Sequence, residues 1–248
     1  MAKIAWILGG GTGIGAALAK ELIDRGWTVA ISGRRMEPLR DLAHSYGARP
    51  YPLDVTDAAA AATVTRQIVA DLGRIDLMVF SVATKAVTKT AVYDHATFEM
   101  VIDTNLLGAM RVIDPVVTQM RAQGGGEIAI VASVAGYFGL PRSAAYSAGK
   151  AALIALAQTM KTELARDDIA VRLISPGFVR TEFTARNAFP MPFLMEADEA
   201  GRRIADGLLH SRRFEIAFPL RFVLTLKLVR MLPYPIFFAL MRRLLPKG

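Results

Sequence analysis

Six short apolar runs, "KIAWIL", "TVAIS", "RPYPL", "IDLMVFS", "EIAIVAS" and "IAVRLIS", alternate with longer Ala-rich amphipathic stretches near residues 13–25, 36–46, 57–72, 94–123, 144–166 and 196–210. Strand and helix in strict alternation can bury both kinds of apolar surface in only one common way, a parallel sheet with helices on each face. Near-continuous apolar strands such as "IAIVA" fit a sheet covered on both sides. With "FEIAF" at residues 214–218 as a last strand, the expected fold is an α/β, Rossmann-like, doubly wound parallel sheet of about seven strands. A chain of 248 residues that is 53 % hydrophobic can bury one sizeable core. No repeat or Gly/Ser linker interrupts it. Composition shifts only near Phe189, where "FPMPFLM" begins. Residues 1–190 are therefore expected to form the core of the domain, and residues 191–248 a C-terminal extension of it.

The formal charge of +8 resembles a nucleic-acid signal until it is located. Between Arg212 and Gly248 stand eight basic residues against the single acid Glu215, so +7 of the charge belongs to the tail. Nucleic acid is not an expected partner. The chain has no cysteine, and His44, His95 and His210 are far apart in sequence, so no metal site is expected. The apolar run in "MAKIAWILGGG" is too short for a secretory leader, and no stretch reaches the length of a membrane-spanning helix. A cytoplasmic location follows as the expectation.

Chemistry enters at "LGGGTGIGAALAKEL", where the first strand meets the first helix. Gly9 permits a tight turn, Gly13 lets backbone approach a pyrophosphate, and Gly15 allows close helix–strand contact, with Thr12 and Ile14 inside the same loop. The helix N-terminus then faces the negative charge. At the end of the second strand a free ribose 2′-hydroxyl would call for a carboxylate, but the chain reads Gly33, Arg34, Arg35. Two cations in place of the acid point to a 2′-phosphate, and so to NADP(H). In "LDVTD", Asp54 can accept from an adenine and Val55 can pack on its ring, while Asp57 can cap the next helix. Tyr146 and Lys150 in "SAAYSAGKAAL" lie four residues apart, which puts both side chains on one helix face.

Taken in order, these motifs resemble the short-chain dehydrogenases/reductases over about residues 3 to 190. "GGGTGIG" is similar to the family's glycine motif, with Leu8 where Thr is usual. "IDTNLLGA" resembles the segment holding an active-site Asn, here Asn105, and "IAIVASVAG" the strand end carrying the catalytic Ser, here Ser133, 28 residues on. Tyr146 follows after 13 more and opens Tyr-x-x-x-Lys; "ISPGFVRTEF" supplies the Pro-Gly turn and its Thr, here Pro176, Gly177 and Thr181. The resemblance implies an oxidoreductase interconverting a ketone or aldehyde and an alcohol. Tyr146 would be its acid/base, Lys150 would lower the phenol and hold the nicotinamide ribose, and Ser133 would fix the substrate oxygen. Asn105 would hold a water, Thr12 the cofactor phosphates and Thr181 the carboxamide. The chain departs from the pattern at Phe80-Ser81-Val82-Ala83, where Asn-Asn-Ala-Gly is usual, and at Arg172, where Asn is common. A competing reading is a non-catalytic NADP(H) sensor or scaffold of the same fold, which would have no need of all four active-site groups.

The tail from Arg212 interleaves apolar stretches with cations, and Pro233 and Pro235 break it into two short helices. They can pack on the domain or a partner subunit, line an apolar substrate entrance, or make a peripheral contact with an anionic membrane. Family members form dimers and tetramers, and a bulky extension after "FEIAF" favours the dimer. Phe183, Phe189, Met191, Phe193 and Met195 are candidates for an apolar lid.

Overall fold

The computed structural model describes residues 2–85, 94–185, 187 and 189–245. Its strands are β1 (Ile4–Leu8), β2 (Thr28–Ser32), β3 (Arg49–Pro50), β4 (Leu77–Phe80), β5 (Gly126–Val131), β6 (Ile169–Pro176), β7 (Val179–Arg180), β8 (Met195–Glu196) and β9 (Glu215–Phe218). Its helices are α1 (Gly13–Asp24), α2 (Met36–Tyr46), α3 (Ala58–Leu72), α4 (His95–Ile102), α5 (Gly108–Ala122), α6 (Ala144–Glu163), α7 (Glu182–Ala185), α8 (Ala197–His210), α9 (Leu220–Arg230) and α10 (Tyr234–Arg242). Seven strands pair in parallel in the order β3-β2-β1-β4-β5-β6-β9, and β7 and β8 form a separate two-stranded ribbon. The strand order reverses between β1 and β4, which opens a crevice at the carboxyl ends of those strands, where ligands of such sheets bind.

Alternate residues of each strand feed two apolar layers, because successive side chains point to opposite faces. Trp6, Leu8, Met78, Phe80, Ile128 and Ile130 pack with α3, α5 and α6, while Ala5, Ile7, Val29, Ile31, Val79 and Val131 pack with α1 and α8. The buried Trp6 indole donates to Ser32 Oγ at 2.9 Å, so its polar edge is satisfied.

Three elements differ from the sequence expectation. "RPYPL" keeps regular strand register with β2 only at Arg49 and Pro50, although Tyr51 N and Leu53 N go on to donate to the carbonyls of Ile31 and Gly33 at 2.9 and 3.2 Å. The stretch 94–123 is helical throughout but contains a wide π turn, Asp103–Leu107, between α4 and α5, and Asn105 sits in it, wholly buried. β7, α7 and β8 form between β6 and α8 and had no counterpart in the apolar pattern. Elsewhere the pattern holds. Asp57 caps α3, accepting from Ala60 N at 2.9 Å. The tail breaks at Pro233 into α9 and α10, with Lys247 outside the described residues. No helix among the described residues is long and apolar enough to cross a membrane.

Candidate active site

The carboxyl ends of β1, β4, β5 and β6 bring the predicted residues to one side of the sheet. After β1 the chain turns through Gly9 and Gly13, at φ +75° and +54°, a region that disfavours any side chain. A Cβ on Gly15 would lie 2.2 Å from the carbonyl oxygen of Gly9, so the first turn of α1 sits directly on the loop. Thr12 is the N-cap residue of α1 but spends no side-chain hydrogen bond on it, and no acid stands in the first turn. Loop hydroxyl, exposed peptide donors and helix dipole therefore share one anion-attracting end. Ile14 is half-buried in the same turn and packs toward the α1–α8 layer.

Beyond β2, Arg34 and Asp54 line one cavity of about 320 Å³ together with Pro52, Leu53, Asp57 and Ala60. Asp54 Oδ1 accepts from the N–H and the hydroxyl of Thr56 at 3.0 and 2.8 Å, and these bonds, helped by Arg34, hold its carboxyl below the usual range. Arg35 instead pairs with Glu182 of α7 at 3.1 Å, on the surface. Val55 is buried and presses on Gly108, so its side chain belongs to the core under the cavity.

Ser133 caps the short turn after β5. Its Oγ accepts from Ala135 N at 3.1 Å and reaches the Pro176 carbonyl at 3.4 Å, which ties the end of β5 to the end of β6. The same hydroxyl is near enough to the Tyr146 phenol to influence its titration. Tyr146 is half-buried; desolvation pushes its phenol up to about 12, and the nearby Ser133 hydroxyl opposes this only in part. Lys150, one turn along α6, is almost wholly buried, donates to the Val131 carbonyl at 2.8 Å and lies 5.8 Å from the Tyr146 ring centroid. Burial pulls its amine down to about 7. In the protein alone, desolvation disfavours the charged form of both groups.

Asn105 is clamped by backbone: its Oδ1 accepts from Thr84 N at 2.7 Å and its Nδ2 donates to Thr84 O at 2.8 Å. This pair joins Thr84, the residue just after Phe80-Ser81-Val82-Ala83, to the π turn. Gly9 touches the same segment, for a Cβ there would meet the Ser81 carbonyl at 2.9 Å. Arg172, the second departure, is a buried structural cation: it donates to the carbonyls of Gly207 and Ser211 at 2.7 and 2.8 Å and pairs with Glu127 at 3.3 Å.

The remaining wall is aromatic. Phe183 tilts on Tyr146 with ring centroids 5.7 Å apart, and Phe178 contacts Phe189 and Phe222, the last of which also meets Phe193. Met191 Sδ accepts from Asn187, and Met195 packs with the second apolar layer, so these lid methionines serve as packing. Gly177 fits under Phe222 and Pro219, and Thr181 lies against Gly13. Residues that the sequence reading missed include Thr84 and Lys85. The Lys85 ammonium lies 4.5 Å from the Phe183 centroid and donates to Asn187, and burial lowers its pKa. At the base of the tail, Tyr137 and Ser175 donate to Glu215 Oε1 at 2.6 and 2.7 Å while Lys227 of α9 pairs with Oε2. Nothing in the sequence marks these partners, since each pair is far apart along the chain.

A family model described as short chain dehydrogenase matches residues 3–189. A protein of Myxococcus xanthus, called an uncharacterized oxidoreductase, is 36 % identical over 98 % of this chain and 97 % of its own length. Among solved structures, a short-chain dehydrogenase from Streptomyces avermitilis superposes with a TM-score of 0.82 at 25 % identity, covering 91 % of each chain. Levodione reductase shares the fold alone, with a TM-score of 0.79 at 22 % identity over 90 % of this chain and 98 % of the other.

Proposed function

The chain belongs to the short-chain dehydrogenase family of oxidoreductases, and within it we propose an NADP(H)-dependent enzyme that reduces an apolar ketone or aldehyde to the alcohol, or runs the reverse. The observation that carries this reading is the convergence of Ser133 and Tyr146 beside the buried Lys150, at the same sheet edge as the glycine turn. The residues present fit a dinucleotide. Gly9, Gly13 and Gly15 clear the turn, Ile14 sits within it, and the unspent hydroxyl of Thr12 and the α1 N-terminus suit the pyrophosphate. Arg34 suits a 2′-phosphate in a cavity shared with Asp54, and Arg35 joins it by leaving Glu182. Val55 offers its peptide to the base; Pro176, Gly177 and Thr181 border the nicotinamide end. When bound, the cofactor supplies or accepts the hydride.

Ser133 donates to the substrate oxygen and holds it beside the Tyr146 phenol. Tyr146 keeps its proton at neutral pH, so it is ready to protonate that oxygen as reduction proceeds. Lys150 holds the ribose and, when protonated, favours the phenolate that the reverse reaction requires. Asn105 fixes the π turn behind Lys150 and with it the path by which a water reaches the amine. Phe178 and Phe183, with the more exposed Phe189 and Phe193 at the rim, favour an apolar substrate. Exposed Phe98, Met100, Leu107 and Met110 along α4 and α5 support association of two copies.

The test is turnover of a carbonyl panel with NADPH, run beside Tyr146→Phe. Removal of the acid is expected to lower kcat by about 10²-fold or more with NADPH binding retained; equal turnover by both proteins would refute the assignment. Tighter binding of NADH than NADPH, or no loss of NADPH affinity in Arg34→Ala, would refute the cofactor preference.

A further inference from the structure

Helices α9 and α10 leave a large apolar surface in water. Val223 anchors α9 in the core, but Leu220, Leu224, Leu228 and Met231, at successive turns of one face, are 63, 52, 65 and 78 % exposed. On α10, Phe237 packs edge-to-face on Phe138 at 5.3 Å and Met241 is buried, while Tyr234, Ile236 and Phe238 face outward. Soluble proteins rarely leave so many large apolar side chains exposed side by side unless something covers them.

Charge decides what covers them. From Ile216 to the end of the chain there is no Asp or Glu, whereas Arg221, Lys227, Arg230, Arg242 and Arg243 all fall within these two helices or at their ends. A second copy docked face to face would set cations against cations around the apolar stripe. A phosphate-bearing surface would meet apolar side chains and cations together. With 11 and 9 residues, the helices are too short to cross a bilayer but suited to lie in its interface.

We propose that α9 and α10 form the docking surface for an anionic membrane. The leucine stripe enters the acyl boundary, and Arg221, Arg230, Arg242 and Arg243 meet the headgroup phosphates. The opposite face of α9 carries Phe222, stacked 5.7 Å from Phe178 and 5.9 Å from Phe193, so the helix lies between the bilayer and the aromatic wall of the site. Docking is independent of the reaction assigned above.

Full-length protein is sedimented with phosphatidylcholine vesicles with and without phosphatidylserine, beside Leu224→Glu/Leu228→Glu and Arg221→Gln/Arg230→Gln. Binding is expected only to the phosphatidylserine vesicles, weakened about tenfold or more by the glutamates and about fivefold per arginine removed. Circular dichroism checks that each variant is folded; the arginine pair, which leaves the apolar stripe intact, serves if the leucine variant is not. Failure of the wild type to bind anionic vesicles, or equal binding by the folded variants, overturns the proposal. So does a fall in oligomeric mass of Leu224→Glu/Leu228→Glu in light scattering without vesicles, since a second copy would then be the occupant.

Discussion

Tyr146 and Lys150 share one turn of α6, and burial moves them in opposite directions, the phenol up to about 12 and the amine down to about 7. The sign of each shift sets a pH dependence. Lys150 binds a proton in the unfolded chain up to about pH 10 but releases it in the folded protein near 7, so stability rises with pH between those values. Lys150→Met removes the penalty of burying the ammonium. Its melting temperature relative to the parent is expected to be higher at pH 6 than at pH 9, and a difference independent of pH would contradict the buried-amine picture. For Tyr146, alcohol oxidation is expected to quicken from pH 7 to 9 as the phenolate fraction grows, while carbonyl reduction stays level or falls; parallel profiles in both directions would speak against Tyr146 as the proton carrier. Helical spacing put Tyr146 and Lys150 on one face, and the family resemblance added Ser133 and Asn105; all four lie at strand ends or on helices near one sheet edge. Their partners were not legible in either. Thr84, which holds Asn105 21 residues away, is placed by the path of a loop that no period encodes. Asn105→Ala removes the partners of both half-buried Thr84 backbone groups, at an expected cost of about 1 kcal/mol in urea unfolding.

Elements meet through close contacts and end caps. Gly15 is where α1 touches the loop of Gly9, so Gly15→Ala forces the two apart; weaker NADPH binding with an otherwise intact sheet is the expected result, measured by titration and circular dichroism. Arg172 joins β6 to the last turn of α8 and to Glu127 of β5, whose carboxyl is raised by burial and drawn back in part by that arginine. Arg172→Met strands Glu127 and two helix-end carbonyls, and a loss of about 3–5 kcal/mol in chemical denaturation is expected. Helix and strand identity were legible here because buried strands and amphipathic helices differ in period. The π turn inside 94–123 was not, since widening a helix by one residue leaves its apolar pattern almost unchanged. Arg172 itself read as an oddity in a strand until α8 was seen to end against it.

At the scale of the molecule, β9 is an edge strand, and the chain leaves it directly into α9, which Lys227 ties back to Glu215. That tail crowds the β9 edge, whereas the α4–α5 surface remains open, so light scattering at micromolar protein is expected to give twice 26.9 kDa. A tetrameric mass would count against this. By itself the sequence determined the doubly wound parallel sheet, the glycine turn after β1, the order of the candidate site residues and the concentration of positive charge in the tail. These follow from local periodicity, glycine sterics and composition, which act over a few residues. Tertiary structure alone decided that Asn105 is held by Thr84, that Arg172 caps α8, that Arg35 meets Glu182, and which face of α9 is left to the solvent. Each of those depends on groups brought together from distant parts of the chain by packing, where burial and desolvation, not sequence spacing, set the energy.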